Sequence, residues 1–173
     1  MSDGMDYSDE DMEILTKAPS KMGHAVMIAS RTRFFGANRE MRAMEEAIMD
    51  LEDFGDNGLI KGIVDEARAE MKREGWHREL RKRREEYHRE TIGLCGEVKG
   101  ILRKDEEGEG FKRWLLHVGE NVARAFPTDE FMGIGGVVIS REEKNLLKSV
   151  AEALGVTDYH IEREPTEDRD EGH

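Results

Sequence analysis

Cysteine is all but missing from this chain of 173 residues: Cys95 stands alone, so no disulfide can form within it. A reducing compartment, the cytoplasm, is the expected setting. No apolar run approaches the roughly 20 residues of a membrane span. No signal-peptide pattern opens the chain. A soluble protein without a membrane partner is therefore expected. Large apolar side chains are scarce too. Leu, Ile, Val and Phe together supply about a fifth of the residues, near the composition at which a packed core becomes hard to build. Ten methionines make up volume, adapting to irregular gaps while specifying packing weakly.

Charge is what the chain has in quantity, 38% of residues with a net of −12, and it is unevenly placed. Residues 1–13 hold six acids and no base, and residues 162–173 hold six acids against Arg163 and Arg169. The ends thus account for −10, leaving about −2 for the body. Such segments stay solvated, so acidic tails are expected over 1–15 and 162–173, around a single domain spanning 16–161. A nearly neutral body argues against general nucleic-acid binding but leaves local basic patches open.

Within the body the apolar residues recur at helical spacing. Phe111, Trp114, Leu115, Val118, Val122, Ala125 and Phe126 share one face, which Pro127 ends. After the apolar, glycine-rich stretch Phe131–Gly136, Ser140 and Glu143 form a capping box ahead of a second stripe, Leu146, Leu147, Val150, Ala151 and Leu154. Gly155 stands where a left-handed terminator is wanted, and Val156 can supply the apolar contact that follows it. A looser copy of this unit spans residues 19–54, with Pro19 suited to a first helical turn and Phe35-Gly36 at the bend. Asp56 and Asn57 can cap a further helix carrying Leu59, Ile60, Ile63, Val64 and Ala67. A long helix is expected over 76–103, with Gly93, Gly96 and Gly100 on one face as a groove for close helix packing or a ligand. The stretch 104–110 reads as a flexible linker, and 157–161 as a short extended segment. The architecture predicted is all-α: a bundle of five or six helices, two helix–loop–helix units (19–54 and 111–155) joined by the long helix.

The segment Gly135-Gly136-Val137-Val138-Ile139-Ser140-Arg141-Glu142-Glu143 resembles the turn between helices in tellurite-resistance TerB-like domains, whose motif runs Asp-Gly-x-Ile-Ser-x-Glu-Glu. The likeness covers some forty-five residues around 111–155 and a looser thirty-five around 20–54. It implies a small helical bundle of two such units, associated with stress-response assemblies and, in some members, with divalent cations. Gly135 stands where the family carries its loop Asp, leaving Glu142 and Glu143 as the acids of the motif.

Few patterns carry chemistry. Glu85 and His88 have the spacing of a carboxylate-bridged metal site in a bundle, but Arg83, Arg84 and Arg89 surround them and would repel a dication. His24, Glu45, His117 and Glu120 are the remaining ligand candidates, and each is more simply a packed or solvated side chain. No nucleophile–base pair is readable, so neither catalysis nor a cofactor is expected. The basic run that includes Arg78, Arg81, Lys82, Arg83 and Arg84 could grip phosphate or an acidic partner, or could be a solvated helix face. Phe131, Met132 and Ile134 make the glycine loop apolar, a docking patch if exposed. The leading expectation is a non-enzymatic interaction protein that uses the basic segment and the loop, with a homodimer through the long helix open. A metal- or ligand-binding helical protein is the alternative, and an RNA- or ribosome-associated factor the third reading.

Overall fold

The computed structural model describes residues 7–29, 37–71, 84–125 and 139–161. They form six helices and, among the described residues, no strand: α1 (Asp9–Ala29), α2 (Ala37–Met49), α3 (Gly58–Met71), α4 (Arg84–Ile101), α5 (Glu106–Ala125) and α6 (Arg141–Leu154). The protein is an all-α helical bundle.

Pairs of contacts fix the directions of the helices. Against α1, Arg103 lies by Tyr7, Glu90 by Lys21, the Tyr87 ring by that of His24, and Arg84 by Ala29. As one number rises the other falls, so α1 and α4 are antiparallel. Glu142 and Asn145 of α6 stand with Arg84 and His88 of α4, while Gly155 meets Lys99, so α6 runs alongside α4 in the same direction. The start of α3 sits on the start of α5, where Asn57 Nδ2 donates to the Glu107 carbonyl at 2.9 Å. Odd-numbered helices therefore run one way and even-numbered helices the other. One end of the bundle is marked by Asn57, the other by Arg84.

The centre of packing is shared by α1, which meets all five other helices, and α5. Phe111, Trp114, Leu115, Leu116, Val118, Val122 and Ala123 are all buried, against stripes from α1 (Leu15, Met22, Val26), α3 (Leu59, Ile63) and α6 (Leu147, Val150, Leu154). Burying each such large side chain contributes about 1.5–3 kcal/mol. Close approach at one turn demands glycine: a Cβ on Gly108 would lie 2.1 Å from the Arg103 carbonyl oxygen, which is backbone and cannot step aside.

The local signals at α6 are as expected. Ser140 and Glu143 form the reciprocal capping box, and Gly155, at φ 76°, ends the helix with Val156 N–H bonded to the Ala151 carbonyl. Asn57 caps α3 through a 3.0 Å bond from Ile60 N–H.

Three boundaries differ from expectation. The acidic start is not a tail over its described residues: α1 begins at Asp9, and Leu15 is fully buried. Ser8 and Asp11 bond each other's backbone N–H reciprocally, and Asp9, Glu10 and Asp11 face the positive end of the helix dipole. Pro19 lies inside α1 rather than in its first turn. Such a proline costs about 3 kcal/mol, here offset by the buried face that continues through Met22 and Val26. Residues 106–110 are the first turn of α5 and not a linker, with Asp105 Oδ1 accepting Gly108 N–H at 2.9 Å. After α6, residues 155–161 are turn and irregular chain with no strand pairing. The long helix is described from Arg84 to Ile101; residues 76–83 and the acidic segment 162–173 lie outside the described residues.

Candidate functional site

The ends of α1, α3 and α5 and the starts of α2, α4 and α6 gather at the Arg84 end. Here α1, α4 and α6 enclose a groove of about 220 Å³. Its floor is Ala25, Ala29 and Leu146, small or apolar residues that let the three helices come close. One wall carries Arg84 and His88, a turn apart on α4; the other carries Glu142, Asn145 and Ser149 on α6. Arg84 is fixed in place because its Nη2 donates to the Ala29 carbonyl at 2.8 Å, one of the last carbonyls of α1 and short of an intrahelical donor. The guanidinium has five N–H groups, so most remain to face the groove. Ser149 donates its own hydroxyl back to the Asn145 carbonyl at 3.0 Å, which leaves its oxygen as an acceptor. The groove thus offers a fixed cation and an amide, with the Glu142 carboxylate beside them, above an apolar floor.

A second polar cluster lies halfway along the bundle. Asp50, just past α2, receives His117 Nε2 at 3.1 Å and Asn121 Nδ2 at 3.0 Å, both from α5. Burial pushes the Asp50 carboxyl up. The hydrogen bonds from His117, the Glu52 backbone and Asn121 outweigh it, and together they hold the group below its usual value. Phe54 packs on the His117 ring at 5.4 Å. This cluster ties the α2–α3 turn to α5. Nearby on α5, Glu120 accepts the Tyr159 hydroxyl at 2.6 Å and pairs with Arg124 at 3.4 Å.

At the Asn57 end, Glu52, Asp53 and Asp56 face Glu106 and Glu107 across a cleft of about 660 Å³. Glu107 is already engaged, accepting Gly58 N–H at 3.2 Å as a cap for α3. The described lining of this cleft is acidic, whereas that of the Arg84 groove carries Arg84 and His88 with Glu142.

The candidates named from sequence fare differently. Arg84 is at the groove, while Arg78, Arg81, Lys82 and Arg83, with Phe131, Met132 and Ile134, lie outside the described residues. Gly93, Gly96 and Gly100 do not line a packing groove: all three are exposed, and a Cβ on any would meet nothing within 4 Å. Helix α4 turns its other side, Tyr87, Thr91, Cys95 and Val98, to the core. His24 is buried against Tyr87, Glu45 is half-buried on α2, and His117 and Glu120 have the partners given above. These four do not converge, and among the described residues no three His, Cys, Asp or Glu side chains gather as a metal ion requires. Cys95 is buried, and burial pushes its thiol up to about 12, away from nucleophilic use. No helix among the described residues is long and apolar enough to cross a membrane.

The Arg84–Ala29 contact joins residues 55 apart in sequence, and His117–Asp50 joins residues 67 apart, so no local pattern announced either. The acids of the Asn57 cleft do show as two dense runs, 50–56 and 105–109. Comparison with family models, with curated proteins and with solved structures gave no match for this chain.

Proposed function

We propose that this is a non-enzymatic helical interaction protein that docks an acidic segment of a protein partner at the Arg84 end of its bundle. The observation that carries the reading is convergence. The helix ends flanking residues 30–36, 72–83 and 126–138 all lie at that end, beside the groove of Arg84 and His88. By sequence, the first two of these segments bring Arg31 and Arg33, then Lys72, Arg73, Arg78, Arg81, Lys82 and Arg83 against Glu74 and Glu79, within a chain whose net charge is −12. The third brings Phe131, Met132 and Ile134, with Asp129 and Glu130 as its acids. Cations around apolar and aromatic side chains suit a partner that is acidic and partly apolar. The acids at the Asn57 end would repel the same partner and so set its orientation. The resemblance to TerB-like domains, themselves parts of assemblies, favours the same reading.

The test is fluorescence anisotropy of a labelled poly-glutamate peptide, and of a labelled single-stranded RNA, with the full chain in low and moderate salt. The peptide should bind and be released as salt rises, and Arg81→Glu, Lys82→Glu and Arg83→Glu together should abolish binding while helical circular dichroism is kept. A triple variant that binds as well as the parent would overturn the proposal. Tighter binding of RNA than of peptide would replace it with the nucleic-acid reading.

A further inference from the structure

The groove between α1, α4 and α6 carries both signs of charge on its own walls. Arg84 stands on the α4 wall and Glu142 on the α6 wall, with Ala25, Ala29 and Leu146 beneath them. The two helices run the same way, and Gly155 meets Lys99 at the other end. That register brings Glu142 within about one turn of the level of Arg84. The two charges are nonetheless kept apart. The Arg84 guanidinium is held by the Ala29 carbonyl at 2.8 Å, and among the described residues no ion pair joins it to Glu142. Around the rim the exposed Arg141 and Lys144 are matched by the exposed Glu85 and Glu86, so the described rim favours neither an anion nor a cation.

We propose that this groove binds a small zwitterion, an α-amino acid with an aliphatic side chain. The ligand carboxylate takes the Arg84 N–H groups that the Ala29 bond leaves over, a guanidinium fork being matched to a carboxylate. The ligand ammonium lies against the Glu142 carboxylate, and the aliphatic side chain rests on Ala25, Ala29 and Leu146. Asn145 between them can donate to the one group or accept from the other. A plain anion would meet the Glu142 carboxylate and a plain cation the Arg84 guanidinium, so each is disfavoured by one wall. Size agrees with the class. The groove of about 220 Å³ is smaller than the roughly 300–1,000 Å³ of sites for larger ligands. At about 30 Å³ for each water-sized unit it holds about seven, which suits a molecule of valine's dimensions. The site does not rest on the docking of an acidic segment, whose charge comes from other residues: it uses only the walls and floor of the groove.

The experiment titrates the isotope-labelled full chain with L-valine and follows its backbone amides by NMR. Saturable shifts are expected at His88, Asn145 and Ser149, with a Kd on the order of 1 mM for so small a ligand in an open groove. Isovalerate, which is valine without the ammonium, and isobutylamine, which is valine without the carboxylate, should each bind about tenfold more weakly. Two variants then assign the charges. In Glu142→Gln, valine and isovalerate should bind alike; in Arg84→Gln, valine and isobutylamine should bind alike, with helical circular dichroism kept in both. Shifts that do not saturate, or an analogue that binds the parent as tightly as valine, overturn the proposal. So does a Glu142→Gln chain that still prefers valine to isovalerate, or an Arg84→Gln chain that still prefers valine to isobutylamine. Any of these failures leaves the docking reading standing, because poly-glutamate binding is tested through Arg81, Lys82 and Arg83.

Discussion

Replacing Gly155 by alanine isolates the step that sends the chain back along α5. Gly155 holds φ 76° and ψ 26°, and its N–H and that of Val156 reach the carbonyls of Ala151 and Glu152. An L side chain in that left-handed region costs about 1–2 kcal/mol. The new Cβ would also stand 3.0 Å from Lys99 Cε and 3.3 Å from Nζ. That neighbour is the far end of a flexible side chain and can swing away, so the steric contribution is small. The backbone conformation therefore sets the magnitude at about 1–2 kcal/mol, and for a domain of this size each kcal/mol lowers Tm by about 2–4 °C. Thermal melts followed by circular dichroism should then place Gly155→Ala about 2–8 °C below the parent. Gly155→Asn should recover part of the loss, because asparagine tolerates the left-handed region. An alanine variant melting within about 1 °C of the parent, or an asparagine variant as damaged as alanine, would refute the assignment of cost to φ.

Cys95 should resist iodoacetamide at pH 8 in the native protein and react fully in denaturant, as read by intact mass, since its thiol is pushed up to about 12 by burial. Stoichiometric labelling of the folded chain would contradict this. The Asp50 carboxyl lies below its ordinary value in the fold, so it adds stability above the unfolded carboxylate range near pH 4 and loses that contribution as pH falls through its folded value. The gap in urea midpoint between the parent and Asp50→Asn should accordingly be full at pH 6 and close progressively below about pH 4. A gap that stays constant over that range would show that His117 and Asn121 do not act on the charge.

What could be read from sequence was what neighbours in sequence decide. Ser140, Glu143 and Gly155 act within one turn of themselves, and their cap and terminator are where local chemistry puts them. The acids before Leu15 were ambiguous for a physical reason. The charges that solvate a tail are the charges that suit a helix N-terminus. Only burial of Leu15 and the Ser8–Asp11 exchange tell the two apart. Gly93, Gly96 and Gly100 share a face at helical spacing whether that face is packed or open, and here it is open. Periodicity likewise finds helices without ranking them, so the place of α1, which meets all five other helices, was not visible. The groove at Arg84 depends on an α1 carbonyl meeting an α4 guanidinium, a matter of tertiary arrangement that no window of residues contains.

The open glycine face of α4 has a dynamic consequence. Each of its three glycines costs the helix about 0.5–1 kcal/mol relative to alanine, and without side chains they leave the carbonyls and amides beside them bare to water. Opposite that face the helix is held by Tyr87, Thr91, Cys95 and Val98, flanked by Ile92, Leu94 and Ile101. Unzipping of the bundle should begin along this water-facing seam rather than at α5. A loosened α4 would release Arg84 from the end of α1 and open the groove it borders.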